Sequence, residues 1–284
     1  LLAAAAGLAG GCAHVSTQKH LPPGQVPRSL DATKAELIEK YNRQAAAIQS
    51  LNATVTLTPT AGSQYSGVIE QYHEVNGFIL AARPAMIRVI GQAPVVAKNV
   101  FDMVSDGETF RIFIPSKNKF ITGPARFEKK AKKPIENLRP QHLVDALFWR
   151  GIPTDAPVLF EETEDATGRA YVLTVLRRGD GDANLEIESK IRFDRSDLNV
   201  SEIENFTGDG ILISVSRYAD WQAAGAAQFP RSITLARPRD DYKLAIQVKK
   251  LTLNETIAPE RFRLAQPAGS ELVEVGKEDQ GAQP

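Results

Sequence analysis

Cysteine is almost absent from this chain of 284 residues: there is one, Cys12. A single thiol makes no internal disulfide and no cysteine-based metal site. Histidine is scarce too, with four in all, and His14 and His20 have no carboxylate or cysteine at ligand spacing, so no metal is expected. An excess charge of one sign is also missing. Lys plus Arg and Asp plus Glu both count 34, which argues against nucleic acid as the main partner, because phosphate binding needs a basic field. Catalytic signatures are lacking: there is no Gly-x-Ser-x-Gly elbow and no phosphate-binding glycine loop. Ser116 and Lys119 match Ser-x-x-Lys but fall in a hairpin turn. The cluster Glu161, Glu162, Glu164 and Asp165 has no ligand spacing, and Asp180 with Asp182 lacks the rest of a calcium loop, so both groups are expected on solvated turns. Neither an enzyme nor a cofactor is expected.

What is present is globular, with 43% hydrophobic and 24% charged residues. Residues 1–11 are almost wholly Leu, Ala and Gly and end in Leu8-Ala9-Gly10-Gly11 before Cys12. A short apolar stretch closed by small residues is the form of a signal-peptide remnant, too short to span a bilayer. Small residues directly before a cysteine resemble the bacterial lipobox, in which the thiol is acylated and becomes the mature N-terminus. Cys12 is then a lipid anchor, and the alternative is an ordinary secretory signal with a stray cysteine. Residues 12–30, with Pro22, Pro23 and Pro27, read as a tether between lipid and domain.

A helix is expected over residues 31–49: Thr33 and Glu36 have capping-box spacing, and Leu37, Ile38, Tyr41, Ala45 and Ile48 fall on one stripe. Strands follow over residues 53–58, 65–72, 77–82, 86–91, 95–105, 109–115 and 119–122, separated by short connections rich in Gly, Pro or Asn. A second helix is expected over residues 140–149, with Pro140 in its first turn. A second strand block covers residues 158–161, 170–177, 185–193, 200–205, 211–218, 232–235 and 242–253. In it, Leu185, Ile187, Ile191 and Phe193 alternate with Glu186, Glu188, Lys190 and Arg192, the pattern of a sheet with one wet face. Apolar residues fall out of phase after Val248, so a bulge is expected at Lys249 and Lys250. The fold class is α+β, mainly β: one domain over residues 31–267, with a long antiparallel sheet, and a frayed tail over residues 268–284.

The leading helix, the sheet with a helix inserted mid-chain, and the ending from Lys250 to Leu264 together resemble the outer-membrane lipoprotein carrier and receptor (Lol-type) superfamily. Leu251-x-Leu253-Asn254, then Pro259 and Phe262-x-Leu264, is the most recognisable piece. The resemblance implies an incomplete half-barrel covered by a few helices, whose apolar concave face holds acyl chains. With Cys12 it implies a lipid-anchored monomer facing the periplasm, in the outer membrane, that sorts lipids or lipoproteins and meets a periplasmic carrier protein. An alternative use of the same fold is an envelope-stress sensor or protein-interaction module.

The apolar block over residues 76–123 offers hydrophobic side chains to both faces of a sheet, so something must cover it. Phe78, Leu80, Ile87, Val89, Phe101, Met103, Phe110, Ile112 and Ile114 are the candidates to line a lipid cavity, or else plain core under the helices. Arg83, Arg88 and Arg111 lie in the same block, where a guanidinium needs a carboxylate, a carbonyl or a headgroup. Arg88 and Arg111 are the headgroup candidates. Lys129, Lys130, Lys132 and Lys133 form a basic run that is either a solvated loop or a contact for an anionic membrane surface.

Overall fold

The computed structural model describes residues 29–63, 68–71, 73–126, 139–166, 168–179 and 184–275. Cys12, the tether up to residue 28, and Lys129, Lys130, Lys132 and Lys133 lie outside them.

The first helix, α1 (Lys34–Ala47), begins at the expected capping box: the Glu36 amide donates to the Thr33 hydroxyl, and Glu36 answers to the Thr33 amide. Its stripe of Leu37, Tyr41 and Ala45 is buried. Seven strands follow: β1 (Ser50–Ser63), β2 (Val68–Gln71), β3 (Val75–Ala82), β4 (Met86–Gln92), β5 (Asn99–Ser105), β6 (Thr109–Ile114) and β7 (Lys119–Pro124). After α2 (Pro140–Leu147) come β8 (Val158–Asp165), β9 (Gly168–Arg178), β10 (Leu185–Asp194), β11 (Val200–Phe206), β12 (Leu212–Ala224), β13 (Ala227–Arg237), β14 (Tyr242–Leu253) and β15 (Glu271–Glu274). All join one open, curved sheet in the order β15-β7-β6-β5-β4-β3-β1-β14-β13-β12-β11-β10-β9-β8, with β2 beside β1. The mainly-β half-barrel with helical cover is therefore the observed architecture.

The two strand blocks meet where β14 returns to pair with β1. Register passes from Thr54↔Lys250 to Val55↔Val248, leaving Lys249 as the extra residue of the expected bulge. Asn254 explains the Leu-x-Leu-Asn ending. It takes φ 61°, accepts from the Gln49 amide at 2.8 Å and donates to the Ala47 carbonyl at 2.8 Å, so it caps the end of α1 and the entry to β1.

Four expectations are corrected. The tail is not frayed throughout: Glu271–Glu274 pairs parallel with β7, and Lys119 meets Glu271 at 3.3 Å. Val95 does not begin a strand, because the chain turns at Ala97 (φ 49°) and β5 starts at Asn99. Glu161, Glu162, Glu164 and Asp165 lie on β8, not on a turn. Leu185 and Ile187 do not share a face with Ile191 and Phe193. Register moves from Ile187↔Leu176 to Ser189↔Val175, so Glu188 is a bulge that reverses the phase of everything before it.

Candidate functional site

Directly paired residues of an antiparallel sheet share a face, so the registers assign each side chain of the apolar block. Ile79, Val89, Met103 and Ile112 form one cross-strand row. That row belongs to the inner face, where α1 and α2 close one core with Leu37, Tyr41, Leu143 and Phe148. Ile87, Phe110 and Ile114 follow by alternation, and Phe101 is accommodated because Gly91 stands opposite it: a Cβ on Gly91 would lie 2.3 Å from the Phe101 ring. Phe78 and Leu80 stand on the other face, in rows with Ile90 and Arg88. These two do not join the proposed lining, because each is one residue out of phase with Ile79.

Arg88 and Arg111 share that outer face, both opposite Val104, so they do not reach the rim of an inner cavity. Arg88 is instead held by Asp102 at 2.6 Å and donates to the Arg261 carbonyl at 3.1 Å, tying down the segment that leads to β15. Arg83 finds carbonyls: Nε donates to Ile48 at 2.9 Å, and Nη2 to Ala45 at 2.8 Å and Trp149 at 2.9 Å.

The open space lies against the second strand block. A cavity of about 580 Å³ runs between α2 with its following loop and the inner face of β9 to β13. None of the nine apolar candidates lines it; the walls it uses are two adjacent rows. Leu173↔Ile191↔Ile203 is the mainly apolar row, continued through Ser216 to Leu235↔Leu244, with Ile191, Ile203, Ser216 and Leu235 on the cavity wall. One step along each strand is a polar row, Ser189↔Asn205↔Ser214, continued by Arg237↔Tyr242. The Asn205 amide donates to the Ser214 hydroxyl at 3.1 Å. These residues were missed in the sequence because serine and asparagine inside strands resemble solvated positions; their shared phase with Ile191, Ile203 and Leu235 is the signal.

An aromatic cluster closes the apolar end. Trp149 stacks on Tyr41 with centroids 5.3 Å apart and meets the edges of Tyr218 and Trp221 at 5.0 and 5.9 Å. Its indole N–H donates to the Tyr218 hydroxyl at 2.9 Å, which donates to the Ala146 carbonyl at 2.9 Å. Burial raises both tyrosines above their ordinary range, so they stay neutral. At the polar end His142 of α2 bonds Tyr242. Burial, with Arg237 and Arg139 beside it, pushes His142 down to about 2, so the imidazole is neutral at physiological pH.

The outer rim has its own apolar feature. In the β4–β5 turn Val95 is 95% and Val96 70% exposed, and Phe78 and Val100 of the adjoining strands are also exposed. Among the described residues, no group of three or more His, Cys, Asp or Glu side chains is placed to hold a metal ion.

No family model matches the chain, and no curated protein matches it. Solved structures do. A LolA superfamily protein from Nitrosomonas europaea aligns over 82% of this chain and 99% of its own at 13% identity, with a TM-score of 0.48. A DUF1329 family protein from Desulfovibrio piger aligns over 80% and 95% at 10% identity, with a TM-score of 0.51. A domain from Vibrio parahaemolyticus, described as an outer membrane lipoprotein-sorting protein, aligns over 81% and 97% at 8% identity, with a TM-score of 0.47. The likeness at these identities is one of fold.

Proposed function

We propose that this chain is a bacterial envelope protein that binds acyl chains of lipids or lipoproteins without covalent chemistry, anchored to the outer membrane through lipidated Cys12 and facing the periplasm. The observation that carries the reading is the cavity of about 580 Å³ on the inner face of an open sheet. That volume falls within the usual range for ligand sites, about 300–1,000 Å³. On this reading the ligand space lies against β9 to β13, away from the wall of residues 76–123 that the sequence singled out. Val95 and Val96 at the β4–β5 turn suit contact with a membrane, where exposed valines lose their contact with water.

Native mass spectrometry after mild extraction tests the reading. Co-purifying lipid or lipoprotein is the expected result; an empty chain with a stably bound protein would replace it with the sensor or interaction module. Metabolic labelling with an acyl precursor is expected to mark the wild type and spare Cys12→Ser. An unlabelled wild type would remove the anchor. Val95→Ser with Val96→Ser is expected to weaken flotation with vesicles and leave the folded state intact.

A further inference from the structure

The cavity is charged in a way that the chain is not. Over the whole sequence basic and acidic residues balance at 34 each, yet its described wall carries Arg126, Arg139, Arg150, Arg177, Arg237 and Arg239 against Asp145, Glu188 and Asp240. Two of these guanidinium groups are engaged by carboxylates, Arg237 by Asp240 at 2.5 Å and Arg177 by Glu186 at 2.8 Å, and Asp145 accepts from the Gln141 amide at 3.2 Å. His142 adds no positive charge, so the excess belongs to guanidinium groups, whose forked N–H donors match phosphate and carboxylate oxygens.

The excess is also placed. Arg237 continues the polar row, opposite Tyr242, and Arg177 and Arg239 stand at the same strand ends. The apolar row and the Tyr41–Trp149–Tyr218 cluster lie one step or more away along the strands. An occupant that satisfies both ends has a hydrocarbon part and an anionic part. A neutral hydrocarbon would strip water from the polar row and leave only its internal pairs, Asn205 with Ser214, Tyr242 with His142 and Arg237 with Asp240, to replace those bonds, which costs free energy.

From this placement we infer that the cavity takes an acyl ligand bearing an anionic group, phosphate or carboxylate, with that group at the strand ends that carry Arg177, Arg237 and Arg239 and its chain over Ile191, Ile203 and Trp149. The inference rests on the acyl-binding reading above and adds the headgroup class. It also moves the headgroup site from Arg88 and Arg111 to arginines on the inner face.

The test is displacement of a fluorescent hexadecanoate from the full chain by hexadecyl phosphate, hexadecanol and inorganic phosphate. Hexadecyl phosphate is expected to displace at a concentration at least tenfold lower than hexadecanol, with inorganic phosphate far weaker than either. Arg237→Gln, and separately Arg177→Gln with Arg239→Gln at exposed positions, are expected to shrink that ratio to about threefold or less while leaving hexadecanol unchanged. Equal potency of hexadecanol and hexadecyl phosphate overturns the headgroup and leaves acyl binding standing. Inorganic phosphate as potent as hexadecyl phosphate overturns the amphiphile in favour of a free-anion site. Failure of the probe and every acyl competitor to bind overturns the acyl-binding reading itself.

Discussion

Arg83→Leu is the substitution that most directly tests how the helices are held on the sheet. Arg83 leaves the end of β3 and donates to three carbonyls, two of them, Ala45 and Ile48, at the last turn of α1 and the third, Trp149, just after α2. The last carbonyls of a helix have no partner within it and carry the negative end of its dipole, so a cation there is favourable. The guanidinium also lies 5.1 Å from the Phe148 ring. Hydrogen bonds to a charged donor contribute about 1.5–3 kcal/mol each. Water replaces part of that here, because Arg83 is only half-buried, so the expected net loss is about 2–4 kcal/mol. Arg83→Lys keeps the charge but lacks the fork, and is expected to retain less than half of the stabilisation. Urea unfolding with an unchanged slope measures the loss. Hydrogen exchange locates it, with faster exchange at the end of α1 and around Trp149. A loss below about 0.5 kcal/mol, or exchange unchanged at both helix ends, would refute the clamp.

Gly91→Ala is expected to cost about 1–3 kcal/mol by overpacking, because its Cβ would stand 2.3 Å from the Phe101 ring. In a double-mutant cycle Phe101→Leu should relieve most of that cost, and additive losses would show that the ring is not what occupies the space. Met103→Ala, at a fully covered inner-face position, is expected to lower stability by about 2–5 kcal/mol with little change in acyl-probe affinity; lost binding in a still stable protein would return this wall to the ligand site. For His142 the folded state holds the imidazole neutral down to about pH 2, whereas the unfolded chain takes up a proton below its ordinary value of 6.5. Stability from this group is therefore complete above pH 6.5 and falls as the pH drops, by up to about 2 kcal/mol between pH 6.5 and 5. His142→Gln should flatten that slope in urea midpoints, and an unchanged slope would assign it elsewhere.

The long strands, the capping box at Thr33 and Glu36 and the bulge at Lys249 were legible because each rests on local chemistry. Alternation gives a strand, a hydroxyl three residues before a carboxylate gives a helix start, and a break in phase gives a bulge. What local chemistry does not carry is relative phase between strands. Phe78 and Ile79 are adjacent and equally apolar, and only the pairing Ile79↔Val89 shows that Ile79 faces the helices. The Glu188 bulge shows the same limit in reverse. Leu185 to Phe193 reads as an unbroken alternation, and the missing beat appears only when Ser189 meets Val175.

The expected wall and the proposed site differ for a related physical reason. The block over residues 76–123 attracts attention because it is the most apolar part of the chain, but α2, with buried Leu143 and Val144, is itself apolar enough to cover part of such a wall and packs on β4 and β5. A dense apolar wall is the cheapest place to dock a helix, since every Å² covered there removes hydrocarbon from water. That helix therefore consumes the part of the wall over β4 and β5 that was expected to stay open. The part left uncovered is the wall that tolerates water, where Ser189, Asn205, Ser214 and Arg237 interrupt the apolar phase. In an open sheet covered from one side, the place to look for a ligand is thus the strand set whose inward positions are mixed, because an all-apolar set has already found its partner in the protein.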